Sequence, residues 1–374
     1  MTALNKLILG LNSLPRFGRR KIFSFINDNI NIEEITSGKV DIKKILDEVH
    51  PKILKYIPSL DKMLLEKKYF ESEVLFKQMI NKKIRITNIF EHRYKFSNWD
   101  GSYYPEGMND DEEWTGKIHM KINNKEINAP PGLDLDQILF SSKNKYQDLP
   151  IQIFTLEKNG HLLNLTAEDV YDFHGKPNKI AIIGARNPTK DSSKTANQIA
   201  KLIISRSHST IVSGLAKGID TAAHEGCLDQ GGHTIAVVGH GLDTIYPKEN
   251  RDLAKKIIKQ EGAIVSEYPF GTKAQGFRLI ERDRIQALLS HIIILIESNI
   301  DGGSMHTIEA AKKMNKKIWC LDIPASGNQK VIAENKNVIT FKNFEEFKDK
   351  FLQLANLTGD TDELADELAF GIFS

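Results

Sequence analysis

The second half of the chain has a regular rhythm. Ile180, Ala181, Ile182 and Ile183 form an unbroken apolar run that stops at Gly184. Similar short runs recur downstream, each separated from the next by a stretch with helical spacing of apolar residues. The pattern predicts strands over 180–183, 210–212, 234–238, 263–266, 291–296 and 317–321, and helices over 192–205, 219–230, 248–259, 280–289 and 304–314. Strands that are apolar on both sides and alternate with helices imply an α/β fold, a doubly wound parallel sheet with both faces covered.

The flanks read differently. Leu4, Leu7, Ile8 and Leu11 make a helical stripe, and residues 1–80 read as a small helical domain. Within it, residues 11–21 hold Pro15, Gly18 and the basic run Arg19-Arg20-Lys21. This unit is either a helix–hairpin–helix, offering helix N-terminal amides to a nucleic-acid backbone, or a solvated basic turn between packed helices. Residues 81–176 read as a linker or insertion with strands over 83–87 and 151–154. It contains Trp99, Tyr103, Tyr104 and Trp114 beside the acidic block Asp110-Asp111-Glu112-Glu113. Acids repel phosphate, so a surface insertion is favoured there over a base-stacking platform. The core spans 177–340. An amphipathic helix over 343–354 and an acidic end complete the chain over 341–374.

Glycine-rich turns fall where the core strands end: Gly184, Ser213-Gly214, Gly239-His240-Gly241 and Gly302-Gly303-Ser304. In a parallel sheet these turns share one rim, where ligands of such sheets bind. Ser213 to Asp220 is the most informative stretch. Gly214, Lys217 and Gly218 stand between a strand and a helix, where free amides and the helix dipole favour phosphate. Ser213, Gly214, Lys217 and Gly218 therefore read as an anion cradle, the alternative being a tight turn with a solvated lysine. Arg186 reads as a phosphate contact or as a salt bridge closing the rim. At least one of Arg282 and Arg284 reads as a phosphate ligand, unless both pair with Glu281, Asp283 or Glu267. His240 is placed to face a ligand. Asp220 and His224, four apart on one helix face, form either an acid–base pair or a brace in which the acid orients the histidine.

Composition narrows the field. The 374 residues are 40% apolar and 27% charged, with a net charge of only +2, so a nucleic-acid surface must be a local patch. Cys227 and Cys320 lack metal-ligand spacing and fit a reduced, cytoplasmic setting, and no metal is expected. No run reaches transmembrane length, and the apolar stretch near Met1 is too short for a signal-peptide core. There is no G-x-x-x-x-G-K-[ST], and no G-x-G-x-x-G follows the first core strand. A P-loop ATPase is excluded, an ordinary nicotinamide dehydrogenase is disfavoured, and no cofactor is expected.

Ordered motifs carry a more specific resemblance. Ile183-Gly184-Ala185-Arg186, Ser213 through Asp220, Ala223-His224, Gly239-His240-Gly241-Leu242-Asp243, Tyr246-Pro247, Ser266-Glu267-Tyr268-Pro269, Arg282-Asp283-Arg284-Ile285 and Gly302-Gly303-Ser304 resemble the DprA/Smf family of DNA-processing proteins. The resemblance implies an extended Rossmann-like core after a helix–hairpin–helix/SAM-like domain. It also implies sequence-independent binding and protection of single-stranded DNA, loading of a RecA-type recombinase in transformation or recombination, a homodimer, and no catalysis. The implied DNA- or phosphate-binding residues are Gly184, Arg186, Ser213, Gly214, Lys217, Gly218, Gly239, His240, Arg282, Arg284, Gly302, Gly303 and Ser304. The chain departs from the family pattern at Lys217, Asp283 and Gly302, where the family has arginine, asparagine and serine. It also lacks a winged-helix pattern after the core.

Two other readings stay open. Arg282 and Glu309, the latter following Gly302-Gly303, are similar to a pair in the related LOG family of nucleotide phosphoribohydrolases, where they would bind phosphate and stabilise a ribosyl cation. Alternatively, the same rim serves a sensor of a small nucleotide in a defence or signalling system.

Overall fold

The computed structural model describes residues 2–14, 17, 19–30, 35, 42–82, 84–88, 118–122, 125–129, 152–158, 179–207, 209–314, 316–334 and 338–358. The turn residues Pro15, Arg16 and Gly18, the aromatic–acidic stretch over 98–115 and the acidic end lie outside them. The N-terminal part contains α1 (Thr2–Asn12), α2 (Arg19–Asn29), α3 (Ile42–Ile53) and α4 (Lys62–Asn81). Their apolar stripes meet: Leu4, Leu7, Ile8 and Leu11 are buried together with Ile22, Phe25, Leu46 and Leu65. Phe17, Phe25 and Tyr56 pack edge to face, with centroids 5.8–5.9 Å apart.

Four strands follow: β1 (Ile84–Asn88), the pair β2 (Ile118–Ile122) and β3 (Lys125–Ala129), and β4 (Gln152–Glu157). The core then alternates β5 (Lys179–Ile183), α5 (Lys190–Arg206), β6 (Thr210–Ser213), α6 (Ile219–Asp229), β7 (Thr234–Val238), α7 (Arg251–Lys259) and β8 (Ala263–Ser266). It continues through α8 (Gly276–Leu288), β9 (Ile292–Leu295), α9 (Ser304–Lys313), β10 (Lys317–Leu321), α10 (Ser326–Glu334), β11 (Val338–Phe341) and α11 (Phe344–Thr358).

Among the described residues the main sheet runs β1-β4-β8-β7-β6-β5-β9-β10-β11. From β8 to β11 every pairing is parallel, while β4 on β8 and β1 on β4 are antiparallel. The expected parallel sheet thus gains two antiparallel strands at one edge. Strand alternation distributes the core: Ile180 and Ile182 face α5 and α6, whereas Ala181 and Ile183 face the side of α8 and α9. The helical region is tied to the sheet edge where the Gln152 amide donates to the Asn5 carbonyl at 2.9 Å and to Asn5 Oδ1 at 2.8 Å.

Several boundaries differ from the sequence pattern. Helix α8 begins at Gly276 rather than near 280, so Arg282 lies in its second turn instead of at its mouth. Residues 248–250 form a separate 3₁₀ turn before α7. Both α10 and β11 were outside the predicted set; β11 is a short edge strand, mostly half-buried, without a strong apolar signature.

Candidate nucleic-acid interface

The strand order changes sense at β5: β6, β7 and β8 lie to one side, and after β8 the chain crosses over to β9, β10 and β11 on the other. Such a switch point opens a crevice beyond the carboxyl ends of the strands. Its floor is backbone. The Ala185 N–H donates to the Glu297 carbonyl at 2.6 Å, and the Ile219 N–H donates to the Ala185 carbonyl at 3.1 Å. The loops after β5 and β6 therefore touch. Gly218 makes this possible, with φ of +79° and no room for a side chain, since a Cβ would stand 2.4 Å from the Ala185 carbonyl oxygen. On either side of this junction, Arg186 and Lys217 project as exposed cations. Lys217 forms an ion pair with Glu249, both ends half or more exposed. An exposed pair of this kind is weak.

Beneath the exposed cations lies a buried charge cluster. Arg282 is only 4% exposed. Its Nη1 donates to the Val237 carbonyl at 2.7 Å, and its Nε lies 3.0 Å from Asp283 Oδ1. The guanidinium covers Gly214, where a Cβ would fall 1.7 Å from Nη1. Asp220 accepts from the amides of Gly214 at 3.1 Å and Ala216 at 3.2 Å, bracing the loop after β6. Burial raises the Asp220 carboxyl above its ordinary value, against the pull of Arg282. Burial likewise pushes Asp283 up to about 7; Asp220 adds to the rise, while Arg282 and Arg186 oppose it.

The structure separates the proposed site residues. Gly184, Arg186, Gly214, Lys217 and Gly218 gather at the β5–β6 junction. Gly302, Gly303 and Ser304 stand at the start of α9, and a Cβ on Gly303 would lie 3.8 Å from Asp283 Oδ2, so this turn borders the same cluster. The Ser304 hydroxyl donates to Ser298 Oγ at 2.7 Å. Gly239 packs beneath the Arg278 backbone at the start of α8.

Other residues belong to the framework, contrary to their expected role as ligands. Ser213 is fully buried, and its hydroxyl donates to the Ile182 carbonyl at 2.7 Å. His240 is also fully buried. Its Nδ1 donates to the Gly241 carbonyl at 3.0 Å, and its Nε2 accepts from the Tyr246 amide at 3.2 Å, so the ring faces inward. Arg284 pairs with Glu267 through both terminal nitrogens, Nη1 to Oε1 at 2.7 Å. Arg282 is held through Nε, by the Leu279 carbonyl and Asp283, and through Nη1, by the Val237 carbonyl, and its guanidinium lies against Gly214.

Nor do Asp220 and His224 form a pair. His224 Nδ1 donates to Thr234 Oγ1 at 2.7 Å, because that hydroxyl donates onward to the Ile211 carbonyl at 2.8 Å. Burial holds the His224 ring neutral, down to about 3. Glu309 is exposed and pairs with Lys312 at 3.0 Å, with no hydrogen bond to Arg282 among the described residues.

One functional support escaped the sequence reading. The Asn250 side chain donates to the Leu215 carbonyl at 2.8 Å and to Thr221 Oγ1 at 2.9 Å, pinning the cradle loop from the start of α7. Its only sequence signal is an asparagine near a helix start, which is usually a cap. No group of His, Cys, Asp and Glu residues suited to a metal occurs among the described residues, and no helix there is long and apolar enough to cross a membrane.

The sheet order and its switch point define an extended Rossmann-like protein. Residues 167–350 match the family model described as DNA recombination-mediator protein A. The chain belongs to the DprA/Smf family. It is 37% identical over 170 residues to Protein Smf of Synechocystis sp., covering 42% of each chain. It is 36% identical over 167 residues to the DNA processing protein DprA of Streptococcus pneumoniae, covering 43% of this chain and 58% of that one. The match thus spans about half the length of these curated relatives. The X-ray structure of DprA from Streptococcus pneumoniae aligns over 93% of this chain and 96% of its own, with a TM-score of 0.57 at 22% identity, which shows the shared fold.

Proposed function

We propose that this chain binds single-stranded DNA along the rim, through phosphate contacts from Arg186 and Lys217, and acts as a DNA-processing protein without catalysis of its own. The observation that carries this reading is the junction itself. Two exposed cations flank a glycine-lined backbone floor at the switch point of the sheet. A rim of this kind reads backbone charge and shape rather than base edges. The names of the relatives, a recombination mediator and DNA processing proteins, support the same class of ligand. Protection of the strand, its handover to a RecA-type recombinase and a homodimeric state follow from the family resemblance and belong to the proposal. The phosphoribohydrolase reading has less support, since Arg282 is enclosed and Glu309 points to Lys312.

The test is binding of fluorescent oligo-dT and of duplex DNA across a salt series. Preference for the single strand is expected, with log K falling by about 0.7 per phosphate contact for each unit of log salt. Absence of binding at low salt, or an affinity indifferent to salt, overturns the reading.

A further inference from the structure

The buried cluster under the rim is unbalanced. One guanidinium, Arg282, lies between two carboxylates, Asp283 at 3.0 Å and Asp220, whose charge it also feels. Asp283 Oδ1 is occupied twice, by Arg282 Nε and by the Gln286 amide at 3.0 Å. Oδ2 receives no hydrogen bond among the described residues, and it points to the start of α9, 3.8 Å from where a Gly303 Cβ would be. This second oxygen therefore borders the turn before α9, and the Arg186 charge, on the β5–α5 loop, acts on the same carboxyl.

Charged and polar groups on several elements surround Asp283. On α8 they are Arg282 and Gln286; on α6, Asp220; after β5, Arg186. On α9 the neighbour is Gly303 backbone, while His306 and Glu309 are exposed. After β7, His240 is buried, and burial lowers its pKa.

An anionic phosphodiester laid over this oxygen would meet a carboxylate at close range, which costs binding energy. A carboxylic acid there would instead donate a hydrogen bond to a phosphate oxygen. Resting on the single-strand reading above, we infer that Asp283 is a specificity-determining group of the rim: a nucleic-acid phosphodiester binds when Asp283 Oδ2 carries a proton, taken from solvent, and is rejected when it does not. The phosphodiester itself does not titrate near neutrality, so the proton belongs to the protein. Burial already holds Asp283 at about 7, which places the change within the physiological range. The sign follows from linkage: an anion bound beside the acid favours its protonated form, so affinity is full below that value and falls as pH rises through it.

The test compares the full chain with Asp283→Asn, which keeps the shape and removes the proton. Affinity for fluorescent oligo-dT is measured at about pH 6 and pH 8 at fixed ionic strength, with the wild type expected to weaken by about tenfold more than the variant. Calorimetry in two buffers of different ionisation enthalpy should show proton uptake on binding by the wild type, and less by Asp283→Asn. Binding by both proteins with equal pH slopes and equal proton uptake overturns this inference alone. Absence of oligo-dT binding by either protein at both pH values overturns the single-strand reading and this inference together. A melting curve of Asp283→Asn separates lost binding from lost folding. If the variant is unfolded, equal wild-type affinity at the two pH values still refutes the inference.

Discussion

The Arg282 guanidinium occupies the space that a side chain at residue 214 would need: a Cβ there would lie 1.7 Å from Arg282 Nη1. The glycine after β6 is thus required by a buried arginine. Gly214→Ala must displace that arginine from the Val237 carbonyl and strip Asp283 and Asp220 of their compensating charge. The expected loss is about 3 kcal/mol, of the order found when one partner of a buried ion pair is removed. Urea unfolding measures it, and a change within about 0.5 kcal/mol would show that the guanidinium relocates freely.

Arg284 and Glu267 join α8 to the end of β8, with side-chain exposures of 12% and 8%. Truncating either to alanine leaves a largely buried charge and should destabilise by about 3 kcal/mol, with the double variant far less costly than the sum. A double-mutant cycle on unfolding free energy reads the coupling. Additive losses would mean that the pair is solvated and that Arg284 is available to a ligand after all.

Asp283 also affects stability. Burial raises its folded value from 3.8 to about 7, so between those values the folded chain holds a proton that the unfolded chain releases. Its contribution is fully present below the unfolded value and is lost as pH rises through about 7. The stability of the wild type relative to Asp283→Asn should therefore drop by about 2 kcal/mol between about pH 5.5 and pH 8. Urea unfolding of both proteins at the two pH values checks this, and parallel profiles would contradict it.

Much of the architecture was legible because its signal is local. Unbroken apolar runs such as Ile180 to Ile183 announce buried parallel strands, and glycines after them mark the ends that form the rim. The antiparallel additions β4 and β1 were visible as strands but not as members of the same sheet, since pairing across a long intervening segment leaves no periodic trace. The chemical roles were harder to read. Arg282 and Arg186 are the same residue type beside the same rim, yet one is enclosed by Val237, Leu279 and Asp283 while the other is exposed. That difference follows from α8 starting at Gly276, a boundary the hydrophobic pattern did not mark. His240 and Ser213 are buried for a related reason. Both stand at a glycine-rich strand end, but their polar atoms turn inward to satisfy backbone groups that would otherwise be buried unpaired.

On the proposed function, Arg186 and Lys217 carry the contact with single-stranded DNA while the buried arginines hold the frame. The most direct measurement is oligo-dT affinity across a salt series for Arg186→Ala/Lys217→Ala beside the wild type. Two lost phosphate contacts should weaken binding and reduce the salt slope by about 1.4, with the melting temperature nearly unchanged because both side chains are exposed. A folded double variant with wild-type affinity and slope would contradict the account and place the strand elsewhere on the molecule.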